Sequence, residues 1–343
     1  MDRQLFDRID EAGTPVDLRR LHAAAVRTIT DPRMLSTFHD RLFCRVVALA
    51  EEALERDGWG LAPARYCWLE LGSGARREQM ISTDQDNALV YDSPEGAEHA
   101  VEGYFAEMAR RVVGGLDDAG YPLCRGYVMA VNPRWRGTPE QWARRIQGYL
   151  DYPDWSNVRL LLIAADQRPA CGDAGLGHRV RKGVVSALRD ARYALWSAAD
   201  HGWRVGRAAL TALGRLRTGA EERQGMVDIK TGLYAPLVGS VRLWALRAGI
   251  EEPGTRERIE VLEKSGLWSA EEARAAAEAL RICLALRWKR HRDCLLADRP
   301  PDDWVDPAEL PRDMVDQLFR ALSATRALQK RTYQYFQHLY RRG

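Results

Sequence analysis

Lysine is scarce in this chain, supplying 5 of its 51 basic residues; the other 46 are arginine. That bias reads as GC-rich coding more readily than as a binding surface, and a net charge of +3 gives no argument for a polyanionic partner. Cysteine is sparse and scattered, at positions 44, 67, 124, 171, 283 and 294, with no C-x-x-C pair. The seven histidines have no metal-ligand spacing among themselves or with the cysteines, which disfavours zinc. No apolar stretch reaches eighteen residues, so a membrane span is not expected. No apolar block with a cleavage site opens the sequence, so a signal peptide is not expected either. The expectation is a cytoplasmic protein with reduced, free thiols and no membrane partner. Internal repeats and low-complexity tracts are also missing.

What remains is ordinary globular material, 46% hydrophobic and 29% charged, in 343 residues, enough for two or three modules. Residues 1–60 read as a helical N-terminal segment. Leu18, Leu21, Ala24, Ala25 and Ile29 form a helical stripe, and a second helical run continues to Gly58. Residues 66–71 and 84–91 predict strands, 95–119 an amphipathic helix, 124–132 a third strand and 158–165 a fourth. Thr138 and Pro139 predict an N-cap and first helical position. Beyond about residue 176 the periodicity is helical throughout. The fold class is therefore α+β: a small mixed sheet with helices over 61–175, between the helical segment and an all-helical bundle over 176–343.

The stretch LELGSGARREQMISTDQDNALVYD (69–92) carries the chemistry. Gly72-Ser73 breaks an apolar run, and ten residues separate Ser73 from Asp84-Gln85-Asp86 at the head of a second run. In a strand Asp84 and Asp86 share a face, roughly 7 Å apart. Two carboxylates on one face repel and resist burial unless a cation lies between them. Mg²⁺ (or Mn²⁺) suits such a pair, because it takes one or two carboxylates and completes its shell with water and phosphate oxygens. Gly72 and Ser73 offer backbone N–H groups and a hydroxyl to a phosphate.

Strand, Gly-Ser, ten residues, then D-x-D resembles the DNA polymerase beta-like nucleotidyltransferase superfamily. GSGARREQMISTDQDNALVY is similar to one bacterial branch, whose members often carry CBS and cyclic-nucleotide-binding domains and are relatives of the protein-PII uridylyltransferase. CRGYVMAVNPRWR (124–136), DQRPACGD (166–173) and VDIKTGLYAPLVGSVRLWAL (227–246) extend the resemblance into that family's helical substrate-binding domain. It implies a polymerase-beta-like core and a nucleoside monophosphate moved from a nucleoside triphosphate to an acceptor hydroxyl, with pyrophosphate released. The acceptor it implies is a macromolecule, a PII-like protein before RNA, and the setting is signal transduction. Asp84 and Asp86 would be catalytic metal ligands, with Asp166 as the third carboxylate. Gly72, Ser73, Arg76, Arg168 and Lys230 would contact the nucleotide. The alternatives are a non-catalytic nucleotide-sensing regulator and an RNA-directed transferase.

Other positions take plainer readings. Glu78 pairs with a nearby arginine. Gln85 and Asn87 point away from Asp84 and Asp86 and bond backbone. Asn132 and Trp135 make a turn with a core tryptophan, with base stacking as the sharper alternative. Nine basic residues against two aspartates over 178–217 read as a solvated helix face.

Overall fold

A computed structural model describes residues 2–211 and 213–342, with the side chains of Asp2 and Arg3 left aside. Met1, Ala212 and Gly343 lie outside the described residues. The chain forms two compact units. One runs up to Gly148 and resumes over Asp166–Val184; the other takes Tyr149–Ala165 and the chain from Val185 onward.

The first unit opens with three helices, α1 (Asp2–Glu11), α2 (Pro15–Thr28) and α3 (Pro32–Arg56). Thr14 and Asp31 cap α2 and α3, each followed by proline at the first helical position. Leu18, Leu21, Ala25 and Ile29 are buried, but Ala24 of the expected stripe faces solvent. The chain continues as β1 (Tyr66–Leu71), the four-residue α4 (Gly72–Ala75), β2 (Asn87–Tyr91), α5 (Glu98–Asp118), β3 (Arg136–Gly137) and α6 (Pro139–Asp151). Thr138 Oγ1 accepts from the Gln141 N–H, and Gln141 Oε1 accepts from the Thr138 N–H, closing a reciprocal cap on α6.

Here the structure departs from the sequence expectation. Residues 158–165 belong to a helix, α7 (Trp155–Ala165), and the strand follows as β4 (Gln167–Gly172). A short apolar run does not distinguish a buried strand from a buried helix by periodicity. Residues 124–132 form turns rather than a strand. The resulting sheet has the order β3-β2-β1-β4, with β1 antiparallel to both neighbours and β2 parallel to β3. The helix α8 (Ala174–Arg189) follows.

A second correction concerns the thiols. Cys44 on α3 and Cys171 on β4 are disulfide-bonded, with Cα atoms 5.6 Å apart. Cys67, Cys124, Cys283 and Cys294 are free and buried.

The second unit joins α7 to α9 (Arg192–Arg204), the two-residue β5 (Val227–Asp228), α10 (Ala235–Ala248), α11 (Thr255–Lys264), α12 (Ala270–Leu296), β6 (Trp304–Val305) and α13 (Arg312–Arg341). The helical periodicity expected beyond about residue 176 is interrupted at Asp190-Ala191, between α8 and α9. A capping box of Ser269 and Glu272 starts α12, and Gly249 in the left-handed region ends α10. The core is the apolar faces of α10, α12 and α13 around Leu237, Val241, Trp244, Leu286 and Leu322. Among the described residues no helix is long and apolar enough to cross a membrane.

A buried polar cluster ties the N-terminal helices to the segment after α5. His22 stacks on Tyr121, ring centroids 4.5 Å apart, and His39 Nδ1 lies 2.6 Å from the Tyr121 hydroxyl. Burial pushes the His22 imidazole from its ordinary 6.5 down to about 4. The folded state therefore stays neutral at His22 while the unfolded chain takes up a proton below pH 6.5. Stability is full above that pH and declines as pH falls through the window to about 4, by up to about 1.4 kcal/mol per pH unit. Urea midpoints between pH 7.5 and 4.5 should fall more steeply for the wild type than for His22→Gln. Parallel profiles would show that His22 does not titrate in this way.

Candidate active site

The turn between β1 and β2 is built on Gly72. Its φ of +57° lies in the left-handed region, and a Cβ there would meet Asp86 Oδ2 at 2.9 Å. The same glycine thus permits the sharp exit from β1 and lets the Asp86 carboxylate lie against the turn. The Leu71 N–H donates to the Asp86 carbonyl and the Gly72 N–H to the Asp166 carbonyl, each at 2.9 Å. The three segments are stitched together by backbone.

Side chains at the head of β2 alternate as their spacing predicts. Gln85 and Asn87 are fully buried. Gln85 Nε2 donates to the Val113 and Tyr121 carbonyls, and Asn87 Nδ2 donates to Gln85 Oε1. Asn87 Oδ1 accepts from the Ala130 N–H, while the Asn87 N–H donates to the Val128 carbonyl. These bonds hold the 122–130 segment against β2. Asp84 is exposed and Asp86 half-buried.

That tethering delivers a residue the sequence reading missed. Ligand atoms of Asp84, Asp86 and Cys124 all lie within 4.8 Å of one another. Burial and the Asp86 carboxylate push the Cys124 thiol up to about 11. Nothing in the spacing of position 124 marks it, since it reaches the pair only through the Gln85 and Asn87 hydrogen bonds. The donor set, two hard carboxylates open to water and one thiol, fits a divalent cation that keeps part of its hydration shell.

Asp166 does not join this group. Its carbonyl meets Gly72, but its carboxylate is fully buried and accepts from Arg76 Nη1 at 2.5 Å. Arg76 Nε donates to Glu78 Oε2 at 2.9 Å, so one guanidinium serves two buried carboxylates. Arg76 is only 8% exposed, in place of the solvent-facing position expected for a triphosphate contact. Arg168 is likewise committed, donating to Asp40 at 2.7 Å and to the buried Glu70. Burial pushes the Glu70 carboxyl up, to about 7, against the pull of Arg168. Ser73 is half-buried in α4, whose leading N–H groups have no acceptor within the helix. Lys230 belongs to the second unit, exposed at the start of a π-helical turn over Lys230–Tyr234. Asn132 caps a single 3₁₀ turn through the Arg134 N–H, and Trp135 is buried at 2% exposure, which leaves neither placed for base stacking.

The first unit is thus a small mixed sheet with a glycine turn set against paired carboxylates, and the second a helical bundle. This is the architecture of a nucleotidyltransferase-like protein. Residues 15–156 match the family described as "Putative nucleotidyltransferase DUF294", and residues 195–336 match "Putative nucleotidyltransferase substrate binding domain". The chain has the two-domain architecture of this family within the polymerase-beta-like superfamily. No curated protein matches the chain.

Removing one member of a buried ion pair costs about 3–5 kcal/mol, because a desolvated charge is left behind. Arg76→Ala should lower the unfolding free energy by about that amount, read from urea denaturation. A loss below about 1 kcal/mol, the scale of an exposed pair, would show that the Arg76 cluster does not hold the turn.

Proposed function

We propose that the protein transfers a nucleoside monophosphate from a nucleoside triphosphate to the hydroxyl of a macromolecular acceptor, a protein before RNA, and releases pyrophosphate. The observation that carries this reading is the Asp84–Asp86 pair set against the Gly72 turn, with an added Cβ excluded at 2.9 Å from the carboxylate. Asp84 and Asp86 would hold Mg²⁺ or Mn²⁺, with Cys124 beside them. The bound cation would neutralise charge on the phosphates and lower the pKa of the attacking hydroxyl. The α4 N–H groups that follow Gly72, whose own N–H is taken by the Asp166 carbonyl, and the Ser73 hydroxyl would orient the triphosphate beside the carboxylates. Arg76 and Asp166 act one step back, fixing the turn rather than touching substrate. The motif's resemblance to relatives of the protein-PII uridylyltransferase supports a protein as the acceptor.

One observation favours a second reading, a nucleotide sensor without turnover. The carboxylate expected to complete the metal site, Asp166, is tied to Arg76.

Purified protein should be incubated with Mg²⁺ or Mn²⁺, each α-labelled ribonucleoside triphosphate and a desalted lysate as acceptor source. Pyrophosphate release and transfer of label to a macromolecule are expected. Asp84→Asn or Asp86→Asn should each reduce release at least about a hundredfold, the scale for losing one preorganised electrostatic group, with thermal stability retained. Full activity in the double variant would end the assignment. Nucleotide binding without release would select the sensor. Gly72→Ala provides a structural check: the added methyl displaces the Asp86 carboxylate, so Mn²⁺ affinity should fall about tenfold or more. Unchanged affinity would remove Asp86 from the ligand set.

A further inference from the structure

Arg136 of β3 and two arginines of α6 build a second polar cavity in the first unit, and the proposed transfer makes no use of it. Its volume is about 290 Å³, and its wall includes Tyr91, Glu102, Arg136, Gln141, Arg144 and Arg145. Tyr91 ends β2 and Asp86 precedes its start. Five residues of strand put the cavity roughly 17 Å along the sheet from the acidic pair. Arg136 contributes to it from β3, an edge strand of the sheet.

The wall carries three guanidinium groups and one carboxylate. Arg136 Nη1 donates to the Val131 carbonyl at 2.7 Å, and its Nε is buried with no hydrogen-bond partner. Arg145 donates to the Arg134 carbonyl at 2.8 Å and to the Arg136 carbonyl, and its guanidinium lies 5.3 Å from the Trp142 ring centroid. Backbone carbonyls orient these groups. Gly137 makes the arrangement possible. Its φ is +147°, and any Cβ there would collide with Gln141 and Arg145. Arg144 is exposed at the rim. The burial that raises the Tyr91 phenol is opposed by Arg136 and Arg145, which places both cations near that ring.

We propose that this cavity binds a small phosphate monoester that carries free hydroxyl groups. Guanidinium groups outnumber carboxylates at this wall, which favours an anion, and a phosphomonoester carries about −1.5 to −2 near pH 7. Planar guanidinium groups suit phosphoryl oxygens. Glu102, an acceptor at the same wall, suits a ligand hydroxyl rather than a second anion. The site is independent of the reading given to Asp84 and Asp86.

Calorimetric titration in magnesium-free buffer at fixed ionic strength tests it, with inorganic phosphate, ribose 5-phosphate and adenosine monophosphate as probes. Saturable binding of ribose 5-phosphate is expected, tighter than that of inorganic phosphate. Tighter binding of adenosine monophosphate than of ribose 5-phosphate would identify the ligand as a nucleotide; the reverse order would identify a sugar phosphate. Arg144→Gln, at an exposed position that leaves the fold alone, and Arg136→Gln should each weaken binding about tenfold or more, the loss of one charge-assisted contact. Glu102→Gln should narrow the gap between ribose 5-phosphate and inorganic phosphate, and Asp84→Asn with Asp86→Asn should leave all affinities unchanged. The proposal is overturned if neither arginine substitution weakens binding, if the aspartate pair abolishes it, or if no probe binds saturably.

Discussion

One guanidinium facing two buried carboxylates sets the shape of the region between β1 and β2. Arg76 reaches Asp166 at the head of β4 and Glu78 within its own loop, all three nearly excluded from water. Such a cluster is weak evidence of net stability but strong evidence of a fixed geometry, because each member is costly to leave alone. Around it the backbone bonds of Leu71 and Gly72 align the turn with β2 and β4. The position of Asp86 against Gly72 follows from that alignment. The acidic pair is held in place by residues that do not themselves face it.

The same logic runs through the hydrogen bonds behind β2. Gln85 and Asn87, inward-facing partners of the outward aspartates, anchor the segment that presents Cys124. A strand of alternating polar residues thus has two faces with different tasks: one displays carboxylates, and the other recruits a loop. The basic cavity at the far end of β2 repeats the device, with Gly137 allowing arginines to close over backbone carbonyls.

Much of this was legible in the residues. The N-terminal helices, β1, β2, α5 and the capped α6 follow from periodicity and caps, and the spacing of Asp84 and Asp86 correctly put both on one side. The failures have physical causes. VRLLLIAA is apolar and short, and only its packing in a helical unit, with Arg242 donating to the Leu162 carbonyl and Arg258 to the Ala165 carbonyl, settles it as a helix. The roles expected for Arg76 and Arg168 rested on a motif, whereas their exposure depends on Asp166, Asp40 and Glu70, which are distant in sequence. Cys124 and the Cys44–Cys171 bond are tertiary facts, separated from their partners by at least 38 residues in the first case and 127 in the second. The second unit's short ribbon of β5 and β6 gave no signal, since two residues per strand carry no period.

The course of the chain has a consequence for how separable the two halves are. The polypeptide leaves the first unit after Gly148, contributes α7 to the second, and returns at Asp166 to lay down β4. A cut at any single point therefore cannot give two intact pieces. A fragment ending at Val184 would keep the whole sheet but carry α7 without its own core, exposing Val158, Leu161 and Leu162, which are otherwise buried. One ending at Gly148 would lose β4, and with it Asp166 and Cys171. The nucleotidyltransferase-like half and the helical half are thus interleaved rather than tandem, and inheritance of one without the other would require excision of an internal helix.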